Sequence, residues 1–559
     1  MIFAGLFALL YGLVQTAPQM GQPFSPSQKL SISLSPWSLP TYALRSLIRM
    51  FAAYAIALLF ALVSGRIAAY NPRAERWIIP FLDICQSVPP LGFLAVAVTF
   101  FMHVFPGSLL GLECASVVTI FSSQAWNLAF SFYQSLKTLP RDLHEAAINY
   151  HLTPWQRFVK LELPFAMTGL VWNSMMSFGS GWFFLAASET ITVLRHDYGL
   201  PGLGSYMAQA VAAEPVNIGA IVWCIGAIVG TIVLVDQLFW RPVVAWSQRF
   251  RSDSAEDDQE PTSVVLDVLR NSNITEWANR RLMAPIGEAM NRALRGRKRV
   301  SDMRTPPSLF SRLLRITLWL VVIAWVAPVI GRGAITAISA MSWRMAAHLL
   351  YLGFLTSVRI AAVVVLATII WVPVGVRIGF SQRLARIAQP LVQIAASFPM
   401  NVVFPLVTYV FIKLHVSLNW GSILLLLLGT QGYILFNIIA GAMQVPAELK
   451  EAAQAFHLRG WNLWKTLILP AIFPAWVTGA LTLAGGAWNA SIVAEVITWG
   501  AHPPAPAAGL GAYITRATGE GDWPGTILSI SIMAALVVLL NRWLWQPLYA
   551  LAEERFTTT

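Results

Sequence analysis

Charge is scarce in these 559 residues: Asp, Glu, Lys and Arg make up 11% against 57% hydrophobic residues, and mean hydropathy is +0.62. About a quarter of an ordinary soluble domain is charged, so the composition points to a lipid-facing surface rather than a water-facing one. Cysteine is nearly missing. Cys85, Cys114 and Cys224 are dispersed and odd in number, which supports neither a disulfide framework nor a zinc site and leaves them as small apolar fillers. No G-x-x-x-x-G-K followed by Ser or Thr occurs, so the chain lacks that phosphate cradle. A nucleophile elbow, an HExxH and a paired-carboxylate pocket are equally absent by spacing, which leaves an enzyme reading little to stand on.

Long apolar runs are abundant. Segments of about 20 residues, enough to cross roughly 30 Å of hydrocarbon, recur around 43–65, 81–104, 108–132, 163–188 and 217–240, then around 312–335, 346–372, 388–412, 421–442, 470–498 and 525–546. Ile2–Val14 is short, but no cleavage site or basic leader accompanies it, and it reads as a first span. The runs are too long and too uniformly apolar for barrel strands. An all-α polytopic membrane protein follows, with about six helices in each half. Six being even, the two halves share one topology and are parallel pseudo-repeats.

A formal net charge of +12 suggests nucleic acid only until the positions are examined. Arg66, Arg73 and Arg76 follow one span, and Lys137, Arg141, Arg157 and Lys160 flank a later loop. Arg377, Arg383, Arg386, Lys450, Arg459 and Lys465 hold the matching places in the second half. This is the positive-inside pattern; it puts these loops and both termini in the cytoplasm, makes the bilayer the partner and gives no reason to expect nucleic acid. The chain divides into a repeat at 1–247, a cytoplasmic linker at 248–309 and a repeat at 310–559. The linker opens acidic (SDSAEDDQE), has amphipathic spacing over 274–295 and ends in the basic cluster Arg295, Arg297, Lys298 and Arg299, suited to anionic headgroups or to marking topology. Ser25–Pro40, with Trp37 as interfacial anchor, reads as an outside loop.

The segment LHEAAINYHLTPWQRFVKLELP returns as LKEAAQAFHLRGWNLWKTLILP. Glu145, Ala146, Ala147, His151, Trp155 and Pro164 of the first copy match Glu451, Ala452, Ala453, His457, Trp461 and Pro470 of the second, all 306 residues on. In each copy a proline (Pro140, Pro446) precedes a short helix with acidic residues near its N-terminus, favourable beside the positive dipole end, and a Leu-Pro pair opens the next span. The aromatics between them offer an apolar knob with a charged rim, suited to a groove on another protein.

At these residues the sequence resembles the permease subunits of binding-protein-dependent ABC importers, whose EAA loop docks on ATPase subunits. The family pattern has a glycine shortly after EAA; Tyr150–His151 and Phe456–His457 stand there instead. Together with LDICQSVPPLGFLAV and LVQIAASFPMNVVFPL, this is similar to the nitrate, sulfonate, taurine and bicarbonate branch, in its fused, duplicated form. The resemblance implies a type I importer permease fold, two ATPase subunits that carry ATP and Mg, no cofactor or metal in this chain, an extracytoplasmic binding protein and an inner-membrane location. Fused permeases for ferric iron or thiamine are the alternative within the class, and an ion-driven secondary transporter is the alternative outside it.

Within that reading His151 and His457 are loop histidines or proton carriers. The candidates for the path occur in both halves. Glycine-interrupted segments end at Trp182 and Trp488, with Asn173, Ser177 and Asn489 nearby; they are either tightly packed helix or broken helix lining the path. Gln124, Asn127, Gln431 and Asn437 are deeper hydrogen-bonding groups or interhelical glue. Glu189 and Glu495 are gating acids or outer-surface residues. Arg49 and Arg359 either snorkel to headgroups or form a positive entrance for an anion.

Overall fold

The computed structural model describes residues 17–23, 31–193, 196–250, 342–497, 499 and 505–556. The expected spans Ile2–Val14 and 312–335, and the linker beyond residue 250, lie outside the described residues. Helix dominates what is described, since only a helix or a closed barrel satisfies every backbone group in hydrocarbon.

The first half runs α1 (Leu39–Tyr70), α2 (Pro72–Ser87), α3 (Leu94–Val104), α4 (Leu110–Lys137), α5 (Arg141–Asn149), α6 (Pro154–Arg157) and α7 (Leu163–Ser188). A hairpin of β1 (Thr190–Val193) and β2 (His196–Gly199) follows, with Thr190 opposite Gly199. The half closes with α8 (Leu203–Ala212), α9 (Ile218–Val235) and α10 (Arg241–Ser247). The second half repeats the helices in order: α11 (Trp343–Gly379), α12 (Gln382–Ser397), α13 (Phe404–Lys413), α14 (Leu418–Met443), α15 (Ala447–Ala455), α16 (Gly460–Leu463), α17 (Leu469–Ala494), α18 (Leu510–Glu520), α19 (Trp523–Leu540) and α20 (Gln546–Phe556). π-helical turns interrupt both halves at matching places, Phe158–Glu162 with Trp464–Ile468 and Asp236–Trp240 with Asn541–Trp545.

Six helices among the described residues are long and apolar enough to cross a membrane. The expected span 81–104 is not one straight helix: the chain bends by 88° between α2 and α3. Pro89 and Pro90 lie at the break, and proline removes a helix donor and clashes with the preceding turn. The expected span 388–412 is broken likewise, between α12 and α13, at Pro399. α4 and α7 are long, with 28 and 26 residues, but carry buried polar side chains, Glu113 and Gln124 on the first and Ser174 and Ser177 on the second.

In each half the first long helix packs on the next and that on the third, α1 on α4 on α7 and α11 on α14 on α17. Small residues permit the approach: a Cβ on Gly375 or Gly379 would overlap Ile438 or Ala442, the small-residue packing of membrane helices. The halves meet reciprocally, α2 against α19 and α12 against α9, as two pseudo-equivalent units about one axis require.

Candidate functional site

One end of the bundle is built by the repeated segments. α5 ends when Tyr150 N–H donates to Ala146 O and Leu152 N–H to Ala147 O, at 2.9 and 3.1 Å. Between them His151 takes φ +51°, and His457 takes φ +54° after α15. This left-handed cap position favours glycine, so the family's glycine and these histidines answer to one backbone requirement. Ala147 and Ala453 are buried, while Glu145, Glu451, His151 and His457 are exposed. Ala146 is half-buried and Ala452 exposed; Trp155 is half-buried and Trp461 exposed. Pro164 and Pro470 sit in the first turns of α7 and α17, directly after the π-helical turns Phe158–Glu162 and Trp464–Ile468.

Beneath the first copy Glu162, fully buried, lies between two guanidiniums: Arg66 Nε at 2.7 Å and Arg157 Nε at 2.8 Å. Arg66 also donates to Pro154 O at 3.0 Å, tying α1 to the repeated loop. Arg157 stacks over Tyr70 at 4.6 Å and meets His144 Nε2 at 3.4 Å. Burial, with Arg157 beside it, pushes the His144 imidazole down from its ordinary value.

The glycine-interrupted segments are continuous helix, which corrects the broken-helix reading. Added Cβ atoms on Gly179 and Gly181 would overlap Ser397 and Gln124, and one on Gly486 would meet Tyr433 at 2.9 Å. Trp182 and Trp488 are buried. Most polar candidates serve helix contacts: Asn127 donates to Ser177 Oγ at 2.8 Å, Asn173 to Ser131 Oγ at 3.0 Å and Trp371 to Gln431 Oε1 at 3.1 Å. Asn437 and Asn489 donate to Tyr433 O and Gly485 O on their own helices, and buried Gln124 donates weakly to Met50 Sδ at 3.7 Å.

At the far ends of α7 and α17 each half holds a buried ion pair. Arg49 Nη1 donates to Glu189 Oε1 at 2.7 Å and Nη2 to Glu113 Oε1 at 2.8 Å; Arg359 Nη1 donates to Glu495 Oε1 at 2.9 Å. Glu189 and Glu495 have no exposure, Arg49 has none and Arg359 has 7%. These placements correct two expectations: the acids are not on the outer surface, and the arginines are not an open positive entrance, because their charges are already matched in place.

The surroundings repeat closely, with the backbone donor to the acid shifted by one residue. Ser46 and Thr356 hydroxyls donate to Glu189 and Glu495 at 2.6 and 2.9 Å and accept from Leu203 N–H and Leu510 N–H at 3.1 and 3.0 Å. Arg49 and Arg359 donate to Pro201 O and Ala508 O, both at 3.0 Å. Gly204 N–H and Ala512 N–H donate to the acids at 2.7 and 3.0 Å. A Cβ on Gly202 or Gly509 would fall on the carboxylate. Each pair therefore staples the Gly-Leu-Gly segment entering α8 or α18 to the spans. Glu113, Ser46 and Thr356 are unremarkable singly; the signal that finds this site is Gly-Leu-Gly at 202–204 returning at 509–511.

Beside these staples, between the halves and away from the repeated loops, lies a cavity of about 600 Å³ that shares Gly204 with the first of them. Ala186, Ala187, Met207 and Val211 line it from the first half, and Asn401, Ile492, Thr515, Arg516 and Glu520 from the second. Among the path candidates of the sequence none lines it.

The chain is 26% identical over 33% of its length to an ABC-transporter-type permease of Methanocaldococcus jannaschii, covering 65% of that protein. It is 24% identical over 33% of its length to the nitrate import permease of Leptolyngbya laminosa, covering 62%, and 27% identical over 32% to a glycine betaine transport system permease of Bacillus subtilis, covering 57%. Each match thus spans somewhat less than two thirds of the relative. The profile of one family, the binding-protein-dependent transport system inner membrane component, matches twice, at residues 36–240 and 371–544, and with its repeated fold and well over half its length so matched, the chain belongs to that family.

Proposed function

We propose that this chain is a permease of an ATP-driven importer, carrying both halves of the path in one polypeptide. Two ATPase subunits bind the repeated loops, one to each, and carry the ATP and Mg. An extracytoplasmic binding protein delivers a small solute with an anionic group, of the nitrate, sulfonate or taurine, or bicarbonate class. The chain sits in the inner membrane with the loops and both termini cytoplasmic, and it breaks no bond in its cargo.

The observation that carries the reading is the double construction at opposite ends: paired α5 and α15 segments with outward Glu145 and Glu451 at one end, and a cavity walled by both halves at the other. ATPase closure that draws the loops together tilts α7 and α17, which run directly from the loops to the cavity, and so alternates access. The nitrate permease relative favours an anion; the glycine betaine relative favours a zwitterion that carries one. Reversing both acids, Glu145→Arg with Glu451→Arg, is expected to abolish ATPase co-purification and stimulated hydrolysis in a folded membrane protein. Undiminished association in the double variant would sink the proposal.

A further inference from the structure

The cavity between the halves has two unlike walls, and the difference is written position by position in the repeat. Asn401, Thr515, Thr518 and Glu520 line it from the second half; their first-half counterparts are Leu91, Ala208, Val211 and Ala213. Arg516, on the same wall, replaces Gln209 and stacks over Tyr513 at 5.2 Å. The first half thus supplies a face that is apolar except for Thr190, and the second adds to apolar residues such as Val402, Ile492 and Val496 one cation, one carboxylate a helical turn away, two hydroxyls and the Asn401 amide.

Asn401 adds a second, independent observation. It is about nine-tenths buried at the cavity edge and its Nδ2 donates across the halves to Phe183 O at 3.2 Å. Its Oδ1 has no partner among the described residues. A buried acceptor without a donor is costly, and a ligand N–H or O–H at the cavity edge relieves it.

Size completes the argument. A water's share of liquid volume is about 30 Å³, so a four-heavy-atom oxyanion fills a small fraction of about 600 Å³ and leaves the apolar wall wet. Arg516 and Glu520 also carry opposite charges on one wall, so a molecule with separated charges meets a partner for each, whereas a bare anion uses only one. We infer that the cavity binds an amphipathic organic acid that also carries an N–H or O–H donor: its acid at Arg516, its donor toward Asn401 Oδ1 and Glu520, its apolar body on the first-half wall. This narrows the cargo of the proposed importer and rests on that reading. It sets aside nitrate and bicarbonate as occupants.

The probe is 4-aminobenzenesulfonate, which has all three parts, measured by calorimetry and thermal shift on the full chain in lipid nanodiscs against sodium nitrate and sodium bicarbonate. The sulfonate is expected to bind, with affinity at least about tenfold weaker in Arg516→Gln, weaker in Asn401→Leu and largely kept in Arg516→Lys. Benzenesulfonate, lacking the donor, is expected to bind more weakly and to be insensitive to Asn401→Leu. No binding of the sulfonate, binding unaffected by Arg516→Gln, or Arg516-dependent binding of nitrate or bicarbonate overturns the inference. Unliganded melting of each variant checks its folding. ATPase co-purification through the repeated loops is independent of Arg516, so failure here with co-purification intact removes the cargo assignment alone.

Discussion

The two halves hold the same helices with different chemistry. Under the first repeated loop the half-buried Arg66 and Arg157 hold the fully buried Glu162; the second half has Val376, Leu463 and Ile468 there. Glu75 accepts from Tyr133 and Lys137 in the first half, where Ala385, Ile439 and Met443 stand in the second. Tyr70 faces His144, and their counterparts are Phe380 under Lys450 at 4.7 Å. Buried ion pairs and well-packed apolar groups of similar volume are often energetically interchangeable, and the halves behave as two solutions to one packing problem.

The far-end staple is the exception. Arg49–Glu189 and Arg359–Glu495 persist with their hydroxyl and backbone partners. Even here a compensated exchange has occurred. Arg45 and Glu113, which interact electrostatically, become Leu355 and Asn419, so one cation and one anion leave together. Asn419 Oδ1 accepts from Arg359 Nη2 at 3.1 Å, where Glu113 does so in the first half. What both halves keep is the arginine that holds the outer backbone segment; what they vary is how its charge is balanced.

The largest test breaks what is shared. Arg49→Met or Arg359→Met leaves a buried carboxylate unmatched and is expected to cost about 3–5 kcal/mol, more at Arg49, which faces two acids, as read by thermal unfolding in nanodiscs. Unchanged melting of both variants would remove the staple from the stability of the fold. Next, converting the first half into the second at Arg66→Val, Arg157→Leu and Glu162→Ile together is expected to fall within about 1 kcal/mol of the parent. Arg66→Val with Arg157→Leu alone, which strands Glu162, loses about 3 kcal/mol. A triple variant worse than this double would show that the cluster is not mere packing.

At the staple, Arg45→Leu and Glu113→Asn form a double-mutant cycle whose coupling is expected at about 1–3 kcal/mol, each single change costing more than the pair; additive costs would contradict the compensated exchange. Smaller still, His151→Gly and His457→Gly should each stabilise by up to about 1 kcal/mol, because glycine takes the left-handed conformation without the Cβ penalty, whereas Val at either position should destabilise. Equal melting for Gly and Val would show that the cap conformation is not strained.

The smallest effect is a pH difference between the loops. His144 is held below its ordinary value, so the native state binds fewer protons than the unfolded one. Its contribution is complete above the unfolded pKa of about 6.5 and is lost as pH falls through that value toward the lower native one. Protection of α5 amides, taken relative to the intrinsic exchange rate at each pH, should therefore fall on acidification and lose that pH dependence in His144→Lys, while that of α15, with Lys450 in that place, stays flat. Parallel behaviour of the two loops would rule His144 out as the cause.

The sequence by itself determined the helical membrane class, the duplication and the repeated loops, because hydropathy and internal repetition are local and additive along the chain. It also marked Arg49, Arg359, Glu189 and Glu495 as paired positions, without showing that they pair with each other. Only the tertiary structure decided that, since Arg49 and Glu189 are 140 residues apart and meet only after α1 and α7 pack. It likewise broke two expected straight spans, one of them with a bend of 88°, made the glycine segments packing surfaces and moved the polar wall of the cavity to Asn401, Thr515, Arg516 and Glu520. Those four are ordinary residues in the sequence; the path is a property of the space left between helices, and no run of residues encodes that space until both halves are assembled.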